Sequence, residues 1–254
     1  PGSAWSNEIY AAAGARGDMP TGRECPKPKR EYYSVQLSLD KKFSNNWMGG
    51  AAFTWSSLRG IFSGLASSDE HGRQSPMVNR YWDYWFIHYD SQMNLADGPL
   101  PTDRPLDLKV YGAYTFDWGL TLGFNGYVKT GTPVSTEFML NNQQGWYPYG
   151  RGNEGRTPML WQMDIYAEYN IQLGKAFNLN LNANITNLTN NRIAQRIYNR
   201  LYDDEINMDQ NEIAAGFDAL EQLDQLGLPI EPRYLMKHHF MESIAVRLGA
   251  KLSF

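Results

Sequence analysis

The sequence predicts an all-β fold, an antiparallel transmembrane β-barrel segment of about seven strands with long extracellular loops at one end. Three observations predict it. Seven stretches alternate apolar and polar residues with period two, the connections between them are short and long in strict turn, and aromatic residues gather at the short-turn ends. A soluble sandwich would share the first observation and bury the apolar parity, whereas a membrane barrel turns that parity outward around a wet lumen, so the decision rests on the other two.

The first strand, "YYSVQLSLDKKF" (32–43), sets Tyr33, Val35, Leu37 and Leu39 against Ser34, Gln36, Ser38 and Asp40. After the turn "SNN" (44–46) the chain returns as "WMGGAAFTWSS" (47–57), with Trp47, Ala51, Phe53 and Trp55 on one parity, which reads as a tight hairpin. A second hairpin joins "PLDLKVYGAYTF" (105–116) through "DWG" (117–119) to "LTLGFNGYVK" (120–129). The third joins "MLWQMDIYAEYNIQL" (159–173) through "GKA" (174–176) to "FNLNLNANITN", where Asn178, Asn180, Asn182 and Asn184 oppose Phe177, Leu179, Leu181, Ala183 and Ile185. A final strand, "FMESIAVRLGAKLSF" (240–254), ends the sequence.

The remaining connections cover 59–104, 130–158 and 189–239, while residues 1–30, rich in Gly, Pro and charge, read as a further loop segment at the same end. Compact soluble domains rarely hold structureless loops beyond about 12–15 residues. Short periplasmic turns facing long extracellular loops are an outer-membrane pattern. Each strand, at 10 to 15 residues, is long enough for a tilted crossing. Phe43, Trp47, Phe116, Trp118, Phe177 and Phe254 all fall at the short-turn ends, where an interfacial girdle belongs. By this reading Asp164, Glu168, Asn178, Asn180, Asn182, Asn184 and Arg247 face the lumen.

Composition agrees. Eight Trp and sixteen Tyr suit surfaces where a ring has one wet edge. A net charge of -4 gives no basic footprint, so no nucleic-acid partner is expected. A mean hydropathy of -0.53 excludes a bundle of membrane helices, which need runs of roughly 18 apolar residues, and leaves alternating membrane strands open. The lone Cys25 permits no internal disulfide and matches no metal spacing. The opening "PGSAWSNEIY" lacks the charged and apolar regions of a signal peptide.

The last residues, "RLGAKLSF", resemble the C-terminal signal read by the barrel assembly machinery of Gram-negative bacteria, with Arg247, Gly249, Leu252 and Phe254 in its key places. Together with "DRPLDLKVYGAYTFDWGLTLGFNGYVKTGTPVS" and "GRTPMLWQMDIYAEYNIQLGKAFNLNLNANITNLTN", they make residues 31–254 similar to the C-terminal part of the barrel of TonB-dependent outer-membrane transporters, nearest to the Oar-like branch. The resemblance implies a 22-stranded barrel of which these strands are a fragment, closed by a plug that TonB grips. It implies energised uptake of a scarce nutrient of the siderophore, oligosaccharide or peptide class. Outer-membrane lipid, the assembly machinery, the plug and remaining strands of the same protein, and a small ligand are the partners it implies. A passive or structural outer-membrane barrel with an adhesion or surface-assembly role is the alternative.

No enzyme is expected, and no cofactor. His71 and His88 stand alone, and His238 and His239, as neighbours on a regular strand, would point to opposite faces and could not chelate one ion. No nucleophile elbow or phosphate loop occurs. The acidic run "DDEINMDQNE" (203–212) lacks the glycine of a calcium loop and reads as a solvated loop, and "RGD" (16–18) is a short match expected by chance. Two loop stretches collect rings that could stack on a ligand or on one another: Tyr81, Trp82, Tyr84, Trp85, Phe86 and Tyr89 in one, and Trp146, Tyr147 and Tyr149 in the other. A helix should start at Asp209, capped with Glu212, and stop at Gly227 and Pro229, with Ile213, Phe217, Leu220 and Leu223 as its apolar stripe.

Overall fold

A computed structural model describes residues 29–61, 89–92, 94–140, 144–174 and 177–254. Seven long strands form one antiparallel meander: β1 (Arg30–Ser44), β2 (Trp47–Gly60), β4 (Leu106–Thr115), β5 (Leu120–Lys129), β8 (Leu160–Leu173), β9 (Phe177–Thr186) and β12 (Ala245–Ser253), paired in that order. The two-residue β3 (Gly98–Pro99) adds to the far end of β2. Among the described residues β1 and β12 are the edges, and the sheet does not close on itself. No described helix is long and apolar enough to cross a membrane, which says nothing of crossing by strands.

The turns are built by asparagine and glycine. Asn45 (φ 52°) and Asn46 (φ 67°) both adopt the left-handed conformation that a two-residue hairpin turn requires, so Ser44 pairs directly with Trp47. Asn46 Nδ2 also donates to Asp117 Oδ1 at 2.6 Å, tying this turn to the next short one.

Register carries the period-two pattern across all seven strands. One face runs Leu37–Phe53–Leu108–Val128–Trp161, then Ile165–Ile185–Val246 further along. The other runs Asp40–Gly50–Tyr111–Asn125–Asp164, and Glu168–Asn182–Gly249 towards the short turns. Among the described residues no second layer covers the apolar face. Leu37, Phe53, Leu108, Phe124, Trp161, Leu181 and Leu248 are all exposed.

The buried core sits elsewhere, in the long connections. There β6 (Phe138–Leu140) pairs with β7 (Gln144–Trp146), and β10 (Ala194–Ile197) with β11 (Lys237–Phe240). Two short helices, α1 (Gln210–Ala215) and α2 (Ala219–Gln225), pack with them, and Phe138, Leu140, Trp146, Leu201, Ile206 and Leu223 form the centre. Arginines fasten this assembly to the sheet. Arg156 pairs with the Asp103 carboxylate and donates to the Asp103 and Gly131 carbonyls at 2.9 and 3.0 Å, while Asp103 accepts from the Leu58 amide at 2.7 Å. Arg151 donates to the Ala96 carbonyl at 2.7 Å and lies over the Tyr147 ring.

Two elements depart from the sequence reading. The final strand expected over 240–254 forms only from Ala245 onward as β12; Phe240 is the last residue of β11, and 241–244 between them is irregular. His239 takes a left-handed φ of 50°, and the Ile244 amide is captured by Asn190 Oδ1 at 3.0 Å instead of a ladder partner. The helix expected from Asp209 to Gly227 breaks at Gly216 (φ 90°) and restarts at Asp218, whose carboxylate accepts from Leu220 and Glu221. The capping box of Asp209 and Glu212 forms, but the break changes the phase of the stripe. Leu223 is buried and Phe217 packs on the core, whereas Leu220 is exposed.

Candidate functional site: the polar sheet face and the loop assembly

The asparagine parity of β9 and the polar parity of β8 share one face because the two strands pair with Glu168 opposite Asn182 and Asn170 opposite Asn180. Side chains there form a ladder. Glu168 accepts from the Tyr166 hydroxyl and from Asn170 Nδ2, Asn170 Oδ1 accepts from Asn180 Nδ2 at 2.9 Å, and Asn180 Oδ1 accepts from Asn182 Nδ2 at 3.3 Å. Asn178 lies opposite Gln172 and Asn184 opposite Tyr166, while Arg247 of β12 pairs with Asn184 from the other side. All six β8 and β9 residues expected on one face are therefore together on it.

Asp164 has an additional task at the long-loop end. Its Oδ1 accepts from Gln162 Nε2 and from the backbone amide of Asn187, both at 2.8 Å. Asn187 is buried at 2% exposure with φ 51°; its Nδ2 donates to the Asn191 and Glu242 carbonyls at 2.9 and 2.7 Å, and its Oδ1 accepts from the Asn191 amide at 3.0 Å. The stretch "ITNLTNNR" is thus a knot joining β8, the end of β9 and the approach to β12.

Sequence reasoning missed half of the polar face. The Tyr111 hydroxyl donates to Asp40 Oδ1 at 2.7 Å across β2, and its ring passes over Gly50, where an added Cβ would meet it at 2.7 Å. Only glycine allows that approach. Tyr127 donates to Gln162 Oε1 at 3.3 Å. The polar parity of β1, β4 and β5 signalled these residues, but the register that unites them is a tertiary fact. In β12, Gly249 lies beneath the Asn182 amide, Leu252 pairs with Leu179 on the apolar face, and Phe254 is 97% exposed with its ring 6.4 Å from Phe177.

The loop aromatics divide. Tyr81, Trp82, Tyr84, Trp85 and Phe86 lie outside the described residues, as do Cys25, His71, His88 and residues 16–18. Trp146 and Tyr147 are 1% and 2% exposed, and Trp146 packs between Tyr89 and Phe217, because this stretch feeds the loop core. Tyr149 is the ring of the three that reaches solvent.

The histidine geometry corrects the regular-strand argument. The left-handed turn at His239 swings its ring back, so that its Nδ1 lies 2.6 Å from His238 Nδ1. Burial, His239 and Arg196 together push His238 below its ordinary value. Nearby, burial and the Asp203 carboxylate raise the Tyr198 hydroxyl to about 12, and Tyr198 with Arg233 holds Asp203 below the usual carboxylate range. The acidic run is therefore used piecemeal, Asp203 in that network and Asp209 as a helix cap. Among the described residues no group of three or more His, Cys, Asp or Glu converges on a metal-sized site.

Aromatic residues also mark the apolar face, at both ends. Trp47, Tyr114, Phe116, Trp118 and Tyr169 form a row by the short turns, with the Tyr114–Phe116, Phe116–Trp118 and Trp118–Tyr169 centroids 4.8, 5.5 and 5.7 Å apart. Tyr33, Trp55 and Trp161 lie on the same face near the opposite ends of their strands.

No family model matches the chain, and no solved structure does. Over 175 residues, 66% of its length, the chain is 30% identical to the TonB-dependent transporter Oar of Myxococcus xanthus. It spans 16% of the length of that relative, so it is a distant and partial homologue.

Proposed function

We propose that this chain is the C-terminal part of the barrel of a Gram-negative outer-membrane transporter that takes up a scarce nutrient with energy delivered through TonB. One observation carries the reading: a continuous apolar sheet face that no described element covers, bounded by aromatic rows at both ends. On β2 and on β8 the rows are eight residues apart, Trp47 to Trp55 and Trp161 to Tyr169. Eight residues of strand span about 27 Å, and a tilt of about 40° brings that to about 21 Å along the membrane normal, close to the apolar band of such barrels. In water the same face would expose a very large apolar patch. In lipid it is the correct solvent-facing surface.

The polar face then lines the lumen, where Asp164, Glu168, Asn178, Asn180, Asn182, Asn184 and Arg247 keep partners and water. The edges β1 and β12 need further strands of the same protein, since each unpaired backbone group in lipid costs several kcal/mol. The short turns lie in the periplasm and the loop assembly outside the cell. Arg247, Gly249, Leu252 and Phe254 serve as the signal for the assembly machinery. The partial homology to a TonB-dependent transporter supports the energised mechanism over a passive or structural barrel.

The test is capture of the periplasmic domain of TonB by the purified full-length protein in detergent. Site-directed crosslinking should give a specific adduct. No adduct, with the barrel folded and inserted, would sink the energised reading and leave the passive or adhesive barrel.

A further inference from the structure

The apolar face of the sheet carries a dip. Two adjacent rows of paired residues, Leu39–Ala51–Val110 and Lys41–Gly49–Gly112–Phe124, set small residues between bulky ones. The result is a groove of about 810 Å³, floored by Gly49, Ala51, Val110 and Gly112 and rimmed by Leu39, Trp47, Tyr114 and Phe124. All four rim side chains are exposed. An added Cβ at Gly112 would meet the Phe124 ring at 2.8 Å, so glycine is what lets that ring stand against the floor as a wall.

At its short-turn end the groove meets a cation. Lys41 shares the apolar parity of β1, and its ammonium lies 4.0 Å over the Trp47 ring. It donates to the Ser44 carbonyl and Oγ at 2.9 and 2.7 Å, to the Trp47 carbonyl at 3.1 Å and to the Lys42 carbonyl at 3.4 Å. Every acceptor is neutral, so the positive charge stands uncompensated. Asp40, the carboxylate next to it in sequence, is turned to the polar face, where it accepts from Tyr111. These bonds hold the ammonium at the aromatic row while its stem lies along the apolar surface, as a lysine does at a membrane interface. We propose that the groove holds an acyl chain of an anionic glycerophospholipid of the periplasmic leaflet, with the headgroup beside Lys41. The inference rests on the barrel reading of this face and names a lipid that it selects.

The dimensions favour a lipid chain over a protein. From Trp47 to Ala51 is four residues of strand, about 13 Å, or about 10 Å of depth at a tilt of about 40°. The groove therefore runs from one interface to near the midplane, the depth of one leaflet. Across β1, β2, β4 and β5 it spans three strand spacings, about 14 Å, which makes its footprint roughly 190 Å². A second copy of the chain would need about 800 Å² on each side for a stable interface. An acyl chain needs no polar partner on the floor, and a chain from the opposite leaflet would leave its headgroup far from Lys41.

Full-length protein folded in non-ionic detergent is mixed with equal amounts of phosphatidylglycerol and phosphatidylcholine of the same chain length, and retained lipid is counted by native mass spectrometry. One phosphatidylglycerol should be kept about fivefold in preference to phosphatidylcholine, the factor that one lysine near a lipid headgroup supplies. Lys41→Gln should bring the two lipids to parity. Ala51→Phe, which fills the groove, should reduce retention of both at least fivefold, whereas Val35→Phe, on the same face outside the groove, should change neither. Equal retention by the unaltered protein, a preference that survives Lys41→Gln, or retention indifferent to Ala51→Phe overturns the proposal. So does a dimer without bound lipid that Ala51→Phe dissociates, which would assign the groove to a second copy. Loss of the heat-modifiable form in detergent by the unaltered protein would sink the barrel reading and this inference with it, whereas folded protein without lipid selectivity sinks the inference alone.

Discussion

If β8 crosses the bilayer, the energetic cost of a charge along its apolar parity should rise and fall with depth. Trp161 and Tyr169 belong to opposite aromatic rows, and Ile165, four residues from each, lies midway, between Phe124 on β5 and Ile185 on β9. Four residues are about 13 Å of strand, or about 10 Å of depth at a tilt of about 40°. Ile165→Arg should therefore cost about 2–4 kcal/mol, the range for a cation at the midplane of such barrels, whereas arginine at 161 or 169 should cost about 0–1 kcal/mol because its stem lets the charge reach the interface. Met163→Arg and Ala167→Arg should fall between. Lost cross-strand packing of Ile165 contributes up to about 1 kcal/mol, and Ile165→Ala measures that share. Leu181, which opposes Tyr169, sits near one belt, so Leu181→Arg should be mild although it is central in β9. Reversible urea unfolding of the full-length protein in lipid vesicles reads all of these. A flat profile, or a maximum at 162, 164 or 166 on the polar parity, would refute the face assignment and the membrane crossing with it.

Three further outcomes follow from particular contacts. Asn187→Ala removes three buried side-chain hydrogen bonds and places a Cβ residue other than asparagine at φ 51°, so it should cost about 3 kcal/mol in the same unfolding assay, with Asn187→Gly about 1 kcal/mol milder. Cysteine at Tyr149 or Leu226, both exposed in the loop assembly, should react with an impermeant thiol reagent on intact cells, whereas cysteine at Asn45 should react only after the outer membrane is opened; the reverse pattern inverts the topology. His238 is depressed from 6.5, so its contribution to stability is present above that value and is lost as the pH falls through the lower folded-state value. Protection factors over 237–241, which correct for the slower intrinsic exchange at low pH, should accordingly fall between pH 7.5 and 5, and His239→Asn, which also tolerates a left-handed φ, should lessen the fall without removing the share due to burial; equal protection at both pH values would refute the linkage.

The seven strands were legible because period two is a local property: each strand's own residues state which parity is apolar. The short turns were legible for the same reason, since Asn45 and Asn46 announce the conformation they adopt. The break before β12 was not. Phe240, Ile244, Val246 and Leu248 share one parity, interrupted at Glu242, and what ends the ladder is the Ile244 amide turning to Asn190, 54 residues away. The candidate site was legible by halves. The asparagines of β9 and the carboxylates of β8 are near neighbours across one turn, whereas Tyr111 and Asp40 meet only through the register of β2, 71 residues apart in sequence. The second aromatic row has the same character, because Trp55 and Trp161 come to the same end of the apolar face only through three intervening strand pairings, which set Trp161 in line with Phe53, two residues from Trp55.

The loops show why their function resists a reading by composition. Long polar connections suggest freely moving surface, yet Arg151 and Arg156 spend their donors on loop carbonyls and on Asp103, and Trp146 and Phe138 lie in a core. Trp146 and Tyr147, which look available for stacking in the sequence, are consumed by this packing, whereas Tyr149 still reaches solvent. A rigid loop assembly recognises a ligand through preformed cavities rather than by closing around it, since ordering costs have already been met in folding.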